Sequence, residues 1–279
     1  CRTKMGFSPA APAGPHVFFR KFRERPAYFP SSIRIFTPHS RRATMSKKEF
    51  SDFDERASPN EVRKEIEQCY KLIQRLGRGV VYLGSSRIGP DHPHYTQTQD
   101  LGKEIAKLLD CTSWSGAGPG LMDAATRGAL QAGKPVGGLK IGKETGEWTP
   151  TSFHQYLPPQ SYLTCRFFSA RKHGLVDAAM RKSPADKTAV IALPGGIGTL
   201  DELFEILALI QLERTGSELP LPVLLMNYDS FYSKLLDFFE DCEDWGTVSK
   251  GEVASLMKLC NNNSEALAYL SEFYDLSYI

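Results

Sequence analysis

The sequence predicts a doubly wound α/β fold, in which helices cover both faces of a parallel sheet. Short β-rich runs alternate with segments of helical periodicity over about residues 58–275. The β-rich runs are apolar on both faces, which is typical of parallel strands buried between two layers of helices. The composition agrees, because 41% hydrophobic and 24% charged residues are ordinary proportions for a globular protein. We interpret residues 58–275 as a single domain.

The first predicted elements are a helix and a buried strand. Residues 58–61, Ser-Pro-Asn-Glu, have the pattern of a capping box with proline at the first helical position, and Gly77 ends the helix. Helical spacing is carried by Val62, Ile66, Cys69, Tyr70, Ile73 and Leu76. The β-rich run 80–83 lies between Gly79 and Gly84, which indicates a strand.

The rest of the chain repeats this alternation. Further strands are predicted over 112–115, 136–141, 162–165, 188–193, 222–226 and 256–260. Further helices are predicted over about 95–109, 121–132, 167–180, 199–212, 231–239 and 265–273. Because helices connect successive strands, we expect the strands to be parallel, with their carboxyl ends at one edge of the sheet.

The first 46 residues differ from the rest of the chain in charge. They contain nine Lys/Arg and one acidic residue, Glu24, a net charge of +8, so the remainder of this chain of net charge +2 carries −6. An Arg-rich, Ser-containing segment with few acids is typical of an organellar transit peptide. We therefore expect a leader over 1–46 that directs the protein to an organelle, a plastid in preference to a mitochondrion. The alternative is a disordered or wrongly translated upstream extension, with the true start at Met45 and a cytoplasmic protein.

The composition also excludes several classes of protein. No run of about 18 apolar residues occurs, so no membrane span is expected. The six cysteines form no CxxC pair, which excludes a zinc ribbon and favours a reduced compartment. The acidic body argues against a nucleic-acid surface. His92-Pro93-His94 is a weak metal candidate, because the pair does not have the i,i+4 spacing of histidines on one helix face.

Three glycine-rich loops follow predicted strands, at 84–89, 116–120 and 195–198. Ligands of such sheets bind outside the carboxyl ends of the strands, where these loops lie. The third loop leads into a helix predicted to start at Thr199, so unpaired amide N–H groups and the helix dipole suit a phosphate. Alternatively, Thr199 and Glu202 form a capping box and the loop is only a turn. The presence of three such loops at one edge favours a ligand site.

Residues 194–202, Pro-Gly-Gly-Ile-Gly-Thr-Leu-Asp-Glu, match the PGGxGTxxE signature of the LOG (Lonely Guy) family. The pair Arg171-Lys172 resembles the family's upstream Arg-Lys pair, and 84–87 and 118–125 resemble its first two loops. Over about 78–275 the chain is therefore similar to these cytokinin riboside 5′-monophosphate phosphoribohydrolases, once labelled possible lysine decarboxylases. The resemblance implies a Rossmann-like fold.

The resemblance also implies a reaction, the hydrolysis of the N-glycosidic bond of a nucleoside 5′-monophosphate to free base and ribose 5-phosphate. No metal or organic cofactor is implied. Glu202 is the expected catalytic carboxylate, stabilising positive charge on the ribose and orienting the attacking water. Arg171 is the expected catalytic cation, although its spacing alone also fits a solvated helix residue. The expected phosphate- and substrate-binding residues are Gly195, Gly196, Gly198, Thr199, Lys172, Ser85 and Gly118.

Three departures from the family pattern leave the substrate and the local loop shape open. Residues 181–187 are extra, and Gly-Ala-Gly at 116–118 replaces three consecutive glycines. Asp123 and Thr126 stand where the longer-chain branch of the family usually has Glu and Asn. The resemblance further implies a homodimer or higher homo-oligomer, for which the apolar helix segment 203–210 is a candidate interface, unless that segment only packs in the core.

Three rival functions remain open. The first is a nucleotide or cofactor carrier of the same fold that does not hydrolyse its ligand. The second is a degenerate family member with a structural role. The third is a pyridoxal-dependent decarboxylase, although no lysine stands in a recognisable Schiff-base setting.

Overall fold

The computed structural model describes residues 54–144, 147–148 and 156–277. The leader predicted over 1–46 lies outside these residues. Within the described chain, seven strands form one parallel sheet, and two further strands of two residues each form a separate antiparallel ribbon. No helix of the described residues is long and apolar enough to cross a membrane.

Strands and helices alternate along the chain as predicted. The strands are β1 (Gly79–Leu83), β2 (Thr112–Ser115), β3 (Val136–Ile141), β4 (Lys143–Glu144), β5 (Glu147–Trp148), β6 (Tyr162–Cys165), β7 (Ala189–Ala192), β8 (Val223–Met226) and β9 (Lys258–Cys260). The helices are α1 (Pro59–Leu76), α2 (Pro93–Leu109), α3 (Leu121–Gln131), α4 (Phe168–Ala179), α5 (Ile197–Gln211), α6 (Ser233–Trp245), α7 (Glu252–Leu256) and α8 (Asn263–Phe273).

The order of the strands in the sheet is β6-β3-β2-β1-β7-β8-β9. The chain moves outward from β1 through β2 and β3 to β6, then returns to the other side of β1 for β7, β8 and β9. Every neighbouring pair is parallel, and Val81 of β1 is in register with Trp114 of β2 and Val190 of β7. The point where the chain changes direction therefore lies between β1 and β7.

Helices cover both faces of the sheet, which confirms the predicted fold class. On β1, Val81 and Leu83 face the layer of α1, α4 and α5, whose buried contacts include Leu175 and Leu203. Val80 and Tyr82 face the opposite layer of α2, α3 and α8. These contact residues are almost fully buried, so strands of three to six residues support a core on each side.

Several predictions about element ends differ from the structure. Helix α5 begins at Ile197, two residues before the predicted start, because Gly196 already provides the extended N-cap backbone. Ser58 precedes α1 but its side chain makes no capping bond, since its backbone carbonyl accepts the first helical N–H groups instead. Helix α6 continues past 239 until Gly246 ends it in the left-handed region at φ 72°. The predicted strand 256–260 is shorter, because α7 occupies its first residue.

The extra residues 181–187 lie before β7, at the amino-terminal edge of the sheet. Arg181 organises this loop, donating to the carbonyls of Asp186 at 3.1 Å and Pro220 at 2.7 Å. Its guanidinium also stacks over Tyr274, with 4.8 Å between Cζ and the ring centroid. The insertion is thus a folded part of the edge opposite the glycine-rich loops.

Candidate active site

A cavity of about 840 Å³ opens at the carboxyl ends of β1 and β7, where the chain changes direction. Doubly wound sheets bind their ligands at this place, because the loops from neighbouring strands diverge there and leave a crevice. Its wall is formed by Gly84, Ser85, Ser86, Arg87, Ile88, Met122, Ile141, Phe168, Arg171, Gly195, Gly196, Ile197, Gly198, Thr199, Glu202 and Phe231. The volume is that of a small-molecule site.

Backbone hydrogen bonds hold the three glycine-rich loops together. The amide of Ser85 donates to the Pro194 carbonyl at 3.0 Å, and the amide of Leu121 donates to the Ser85 carbonyl at 2.9 Å. Gly120 makes the second contact possible, because its φ of +71° favours glycine and a Cβ there would lie 2.3 Å from the Ser85 oxygen. The first wall of the cavity is therefore a fixed backbone.

The N-terminus of α5 faces this cavity. Its first amides, on Ile197, Gly198 and Thr199, have no hydrogen-bond partner among the described residues. A Cβ on Gly195 would lie 2.2 Å from Thr199 Oγ1, so only glycine lets the hydroxyl fold back over the loop. Unpaired amides, the helix dipole and this hydroxyl form an anion-binding arrangement.

Thr199 lies in the first turn of α5, which changes one of the interpretations open at the sequence level. A capping box needs its threonine at the N-cap, and that position belongs to Gly196. The capping-box reading of Thr199 and Glu202 is therefore wrong. Glu202 lies in the second turn of the helix, and its carboxylate pairs with Arg171 instead of capping an amide.

Arg171 of α4 and Glu202 of α5 form a buried ion pair in the cavity wall. The Arg171 Nη1 donates to Glu202 Oε1, and its Nε donates to the carbonyl of Leu139 at 2.9 Å. The side chains are only 6% and 8% exposed, so the solvated-helix alternative for Arg171 is wrong. Gly116 makes room for the guanidinium, since a Cβ there would lie 2.0 Å from Arg171 Nη2.

Burial raises the pKa of Glu202 above its ordinary value of 4.5, because a carboxylate loses its hydration inside the protein. The Arg171 guanidinium opposes this shift without cancelling it. If a substrate displaced either Arg171 or Glu202, the other side chain would remain as a buried charged group facing the substrate. Buried charged groups of this kind are characteristic of catalytic sites.

The structure brings most of the predicted site residues together. Seven of them line the cavity: Ser85, Arg171, Gly195, Gly196, Gly198, Thr199 and Glu202. Gly118 lies in the neighbouring loop after β2 but is buried outside the wall. Lys172 points away, to Asp201 at 3.1 Å and Glu205 at 3.0 Å. Burial lowers the pKa of Lys172, but its bonds to Glu205 and Asp201 outweigh burial and raise it.

Sequence reasoning missed several wall residues. Arg87 adds an exposed cation that has no ion-pair partner among the described residues, and it belongs to the loop already singled out for its glycines. Phe168 and Phe231 supply apolar wall from α4 and from the loop after β8. No local sequence pattern marks these two residues as part of a binding site, so only the topology of the sheet could have placed them here.

His92 and His94 make structural contacts at the start of α2. His92 caps α2, since its Nδ1 accepts the His94 amide at 3.1 Å, and His94 Nε2 lies 3.3 Å from Asp229. No group of three or more His, Cys, Asp or Glu side chains in the described part of the chain is placed to hold a metal ion.

The family model described as "Possible lysine decarboxylase", the LOG family, matches residues 122–270, more than half of the chain. The chain belongs to this family. It is 31% identical over 207 residues to the probable cytokinin riboside 5′-monophosphate phosphoribohydrolase LOG4 of Oryza sativa subsp. japonica, covering 71% of this chain and 80% of the rice protein. It is 28% identical over 177 residues to the cytokinin riboside 5′-monophosphate phosphoribohydrolase LOG4 of Arabidopsis thaliana, covering 63% and 73%.

Among solved structures, the chain is similar to the molybdenum cofactor binding protein of Rippkaea orientalis, at a TM-score of 0.44 and 18% identity, over 70% of this chain and 94% of that one. The molybdenum cofactor carrier protein of Chlamydomonas reinhardtii has the same TM-score at 16% identity, over 70% and 98%.

Proposed function

We propose that this LOG-family member hydrolyses the N-glycosidic bond of nucleoside 5′-monophosphates. Water attacks C1′ of the ribose, the bond from C1′ to the base nitrogen breaks, and the base leaves with the bonding electrons and gains a proton. The products are free base and ribose 5-phosphate. The observation that carries the proposal is the buried pair of Arg171 and Glu202, one helical turn from the open amides of α5.

The 5′-phosphate binds at the N-terminus of α5. The amides of Ile197, Gly198 and Thr199 and the Thr199 hydroxyl supply donors, and the helix dipole favours the dianion. With the phosphate fixed there, the ribose lies over the first turn of α5, beside Glu202. Binding energy from the unreactive phosphate thus orients the reacting carbon.

Glu202 stabilises the oxocarbenium-like transition state. Positive charge develops on the ribose as the base leaves, and a buried carboxylate stabilises that charge more strongly than an exposed one. The same carboxylate accepts a hydrogen bond from the attacking water. Arg171 holds the carboxylate in place through Nη1, while its bond to Leu139 keeps the guanidinium from following the substrate.

The family relatives support a nucleotide substrate, since two of them are named as cytokinin riboside 5′-monophosphate phosphoribohydrolases. The wall is apolar around Met122, Ile141 and Phe168, which suits the base and any hydrocarbon substituent that it carries. We propose an adenine nucleotide, plain or prenylated, as the substrate.

The test is an assay of the full-length protein with AMP and with prenylated AMP, the products being separated by chromatography. We expect equal amounts of base and ribose 5-phosphate, and much slower cleavage of the nucleoside that lacks the phosphate. Tight nucleotide binding without base release would replace the proposal with the carrier function. Carbon dioxide released from lysine in the presence of pyridoxal phosphate would favour the decarboxylase instead.

We also propose that the protein is a homodimer. On α5, Leu203, Ile206 and Leu207 pack in the core, but Phe204 is partly exposed and packs edge-on against Phe239 of α6. Further exposed apolar side chains on α6 and at its end are Phe238 and Trp245, at 57% and 86% exposure. An exposed apolar face of this kind is typical of an interface. Sedimentation should give a dimer, and Phe238→Glu should shift it toward monomer.

A further inference from the structure

The N-terminus of α4, the helix that carries Arg171, is capped by a residue distant in sequence. Phe167 occupies the N-cap position and has no side-chain acceptor of its own. Glu65 of α1 replaces it, with Oε1 accepting the amide of Arg166 at 3.0 Å and Oε2 the amide of Phe167 at 2.9 Å. Glu65 is only 5% exposed, so both carboxylate oxygens act within the protein. A carboxylate here also complements the helix dipole.

A short chain of hydrogen bonds leads from this cap to the cavity. Phe167, whose amide Glu65 holds, accepts the amide of Arg171 on its own carbonyl at 3.2 Å. Arg171 then donates to Leu139 and Glu202. The position of the first turn of α4 therefore sets where the guanidinium lies.

The other charged groups near Glu65 do not provide an equivalent contact. The Arg166 guanidinium lies 3.6 Å from both Glu65 and Glu61, and its side chain is 45% exposed. Glu55 caps a later amide of the same helix, that of Ser169, at 3.0 Å. Among the described residues, only Glu65 accepts the two amides that precede the helix.

We propose that Glu65 is a positioning residue for the reaction, acting through α4 on Arg171; this rests on the proposed function. Loss of the carboxylate would leave the buried amide of Phe167 and the part-buried amide of Arg166 without an acceptor, and let the first turn of α4 shift or fray. A displacement of Arg171 by about 1 Å is enough to reduce a rate roughly 100-fold, since the pair with Glu202 must match the transition state.

The kinetic experiment compares Glu65→Ala and Glu65→Gln with two controls. Glu61→Gln removes the exposed partner of Arg166 and leaves the α4 amides untouched. Asp177→Ala breaks the ion pair with Arg78, 3.0 Å long, at the far end of the same helix. All variants are assayed with AMP at a temperature where each is folded by circular dichroism.

We expect Glu65→Ala to lower kcat by roughly 10- to 100-fold with little change in KM, because the phosphate site on α5 is untouched. Glu65→Gln, which keeps one acceptor oxygen, should recover part of the loss. Asp177→Ala should lower Tm but leave kcat near that of the wild type. Equal losses of kcat in Glu65→Ala and Asp177→Ala at matched Tm would overturn the proposal.

A second measurement does not depend on catalysis. The Arg171 Nε proton, bonded to Leu139, should give a slowly exchanging arginine signal in ¹⁵N NMR spectra, assigned by its loss in Arg171→Lys. We expect this proton to exchange at least tenfold faster in Glu65→Ala and to be unaffected in Asp177→Ala. An unchanged signal in Glu65→Ala would overturn the positioning role. If the wild type releases no base, the proposed function fails, and this measurement alone decides the role of Glu65.

Discussion

Arg171 and Lys172 are adjacent on α4, yet each binds a different carboxylate of α5. Arg171 pairs with buried Glu202 inside the cavity wall, and Lys172 pairs with Asp201 and Glu205 at the outer surface. The two helices are therefore linked twice, once by a pair that faces the cavity and once by a pair that faces solvent. This separates a pair suited to chemistry from a pair that only joins helices.

The first prediction concerns this separation. Lys172→Ala should leave kcat near the wild-type value and lower the free energy of unfolding by up to about 1 kcal/mol, the usual contribution of a partly exposed ion pair. Arg171→Ala, in the same base-release assay, should reduce kcat by about 10²–10³-fold. A comparable loss of kcat in both variants would mean that Lys172 also acts on the substrate.

The second prediction concerns Glu202. Glu202→Gln keeps the shape and one acceptor oxygen but removes the negative charge that the transition state needs, so base release should fall by about 10²–10³-fold. Asp201→Asn is the matched control, because Asp201 is the adjacent carboxylate and faces Lys172. Activity of Glu202→Gln within tenfold of the wild type would refute the assignment of Glu202.

Much of the fold could be predicted because short β-rich runs alternate along the chain with segments of helical periodicity. The strands over 112–115, 136–141 and 162–165 agree with the structure at both ends. The ends of helices were harder, as at α5, where the sequence offered Thr199 as a cap but the extended backbone of Gly196 starts the helix earlier. Local capping patterns cannot show which of two residues a few positions apart adopts the non-helical conformation.

The candidate site could be predicted only in part, because local sequence patterns mark some of its residues and not others. The glycine-rich loops and the pair Arg171 and Glu202 stand in recognisable sequence patterns, and they meet because β1 and β7 are neighbours. The contact between Glu65 and the start of α4 spans about a hundred residues, and no local pattern marks it. Lys172 was expected at the substrate, but its position on the helix turns it toward Asp201 and Glu205.

The third prediction concerns the pH dependence of stability. The pKa of Glu202 is raised in the folded protein, so between its ordinary value of 4.5 and the folded value the native state binds more protons than the unfolded state. The contribution of Glu202 to stability is therefore fully present below 4.5 and falls as the pH rises through the folded pKa. Glu202→Gln lacks this dependence.

Urea unfolding of both proteins from about pH 4.5 to about pH 8 tests this sign. As the pH rises, the free energy of unfolding of Glu202→Gln should increase relative to that of the wild type. The opposite trend would mean that Arg171 stabilises the carboxylate more than burial destabilises it, and that the pKa of Glu202 is lowered.

The last prediction concerns the two neighbouring glycines of the phosphate loop. A Cβ on Gly195 would lie 2.2 Å from Thr199 Oγ1, whereas a Cβ on Gly196 would meet nothing within 4 Å. Gly195→Ala should therefore displace Thr199 and the first amides of α5. The Kd for AMP should rise by about tenfold or more, the order expected for a lost charge-assisted contact. Gly196 has an ordinary extended backbone, so Gly196→Ala should bind AMP nearly as well as the wild type.

Isothermal titration with AMP, using Glu202→Gln as the background to prevent turnover, compares the two glycine substitutions directly. Equal weakening by both substitutions would place the phosphate away from the N-terminus of α5.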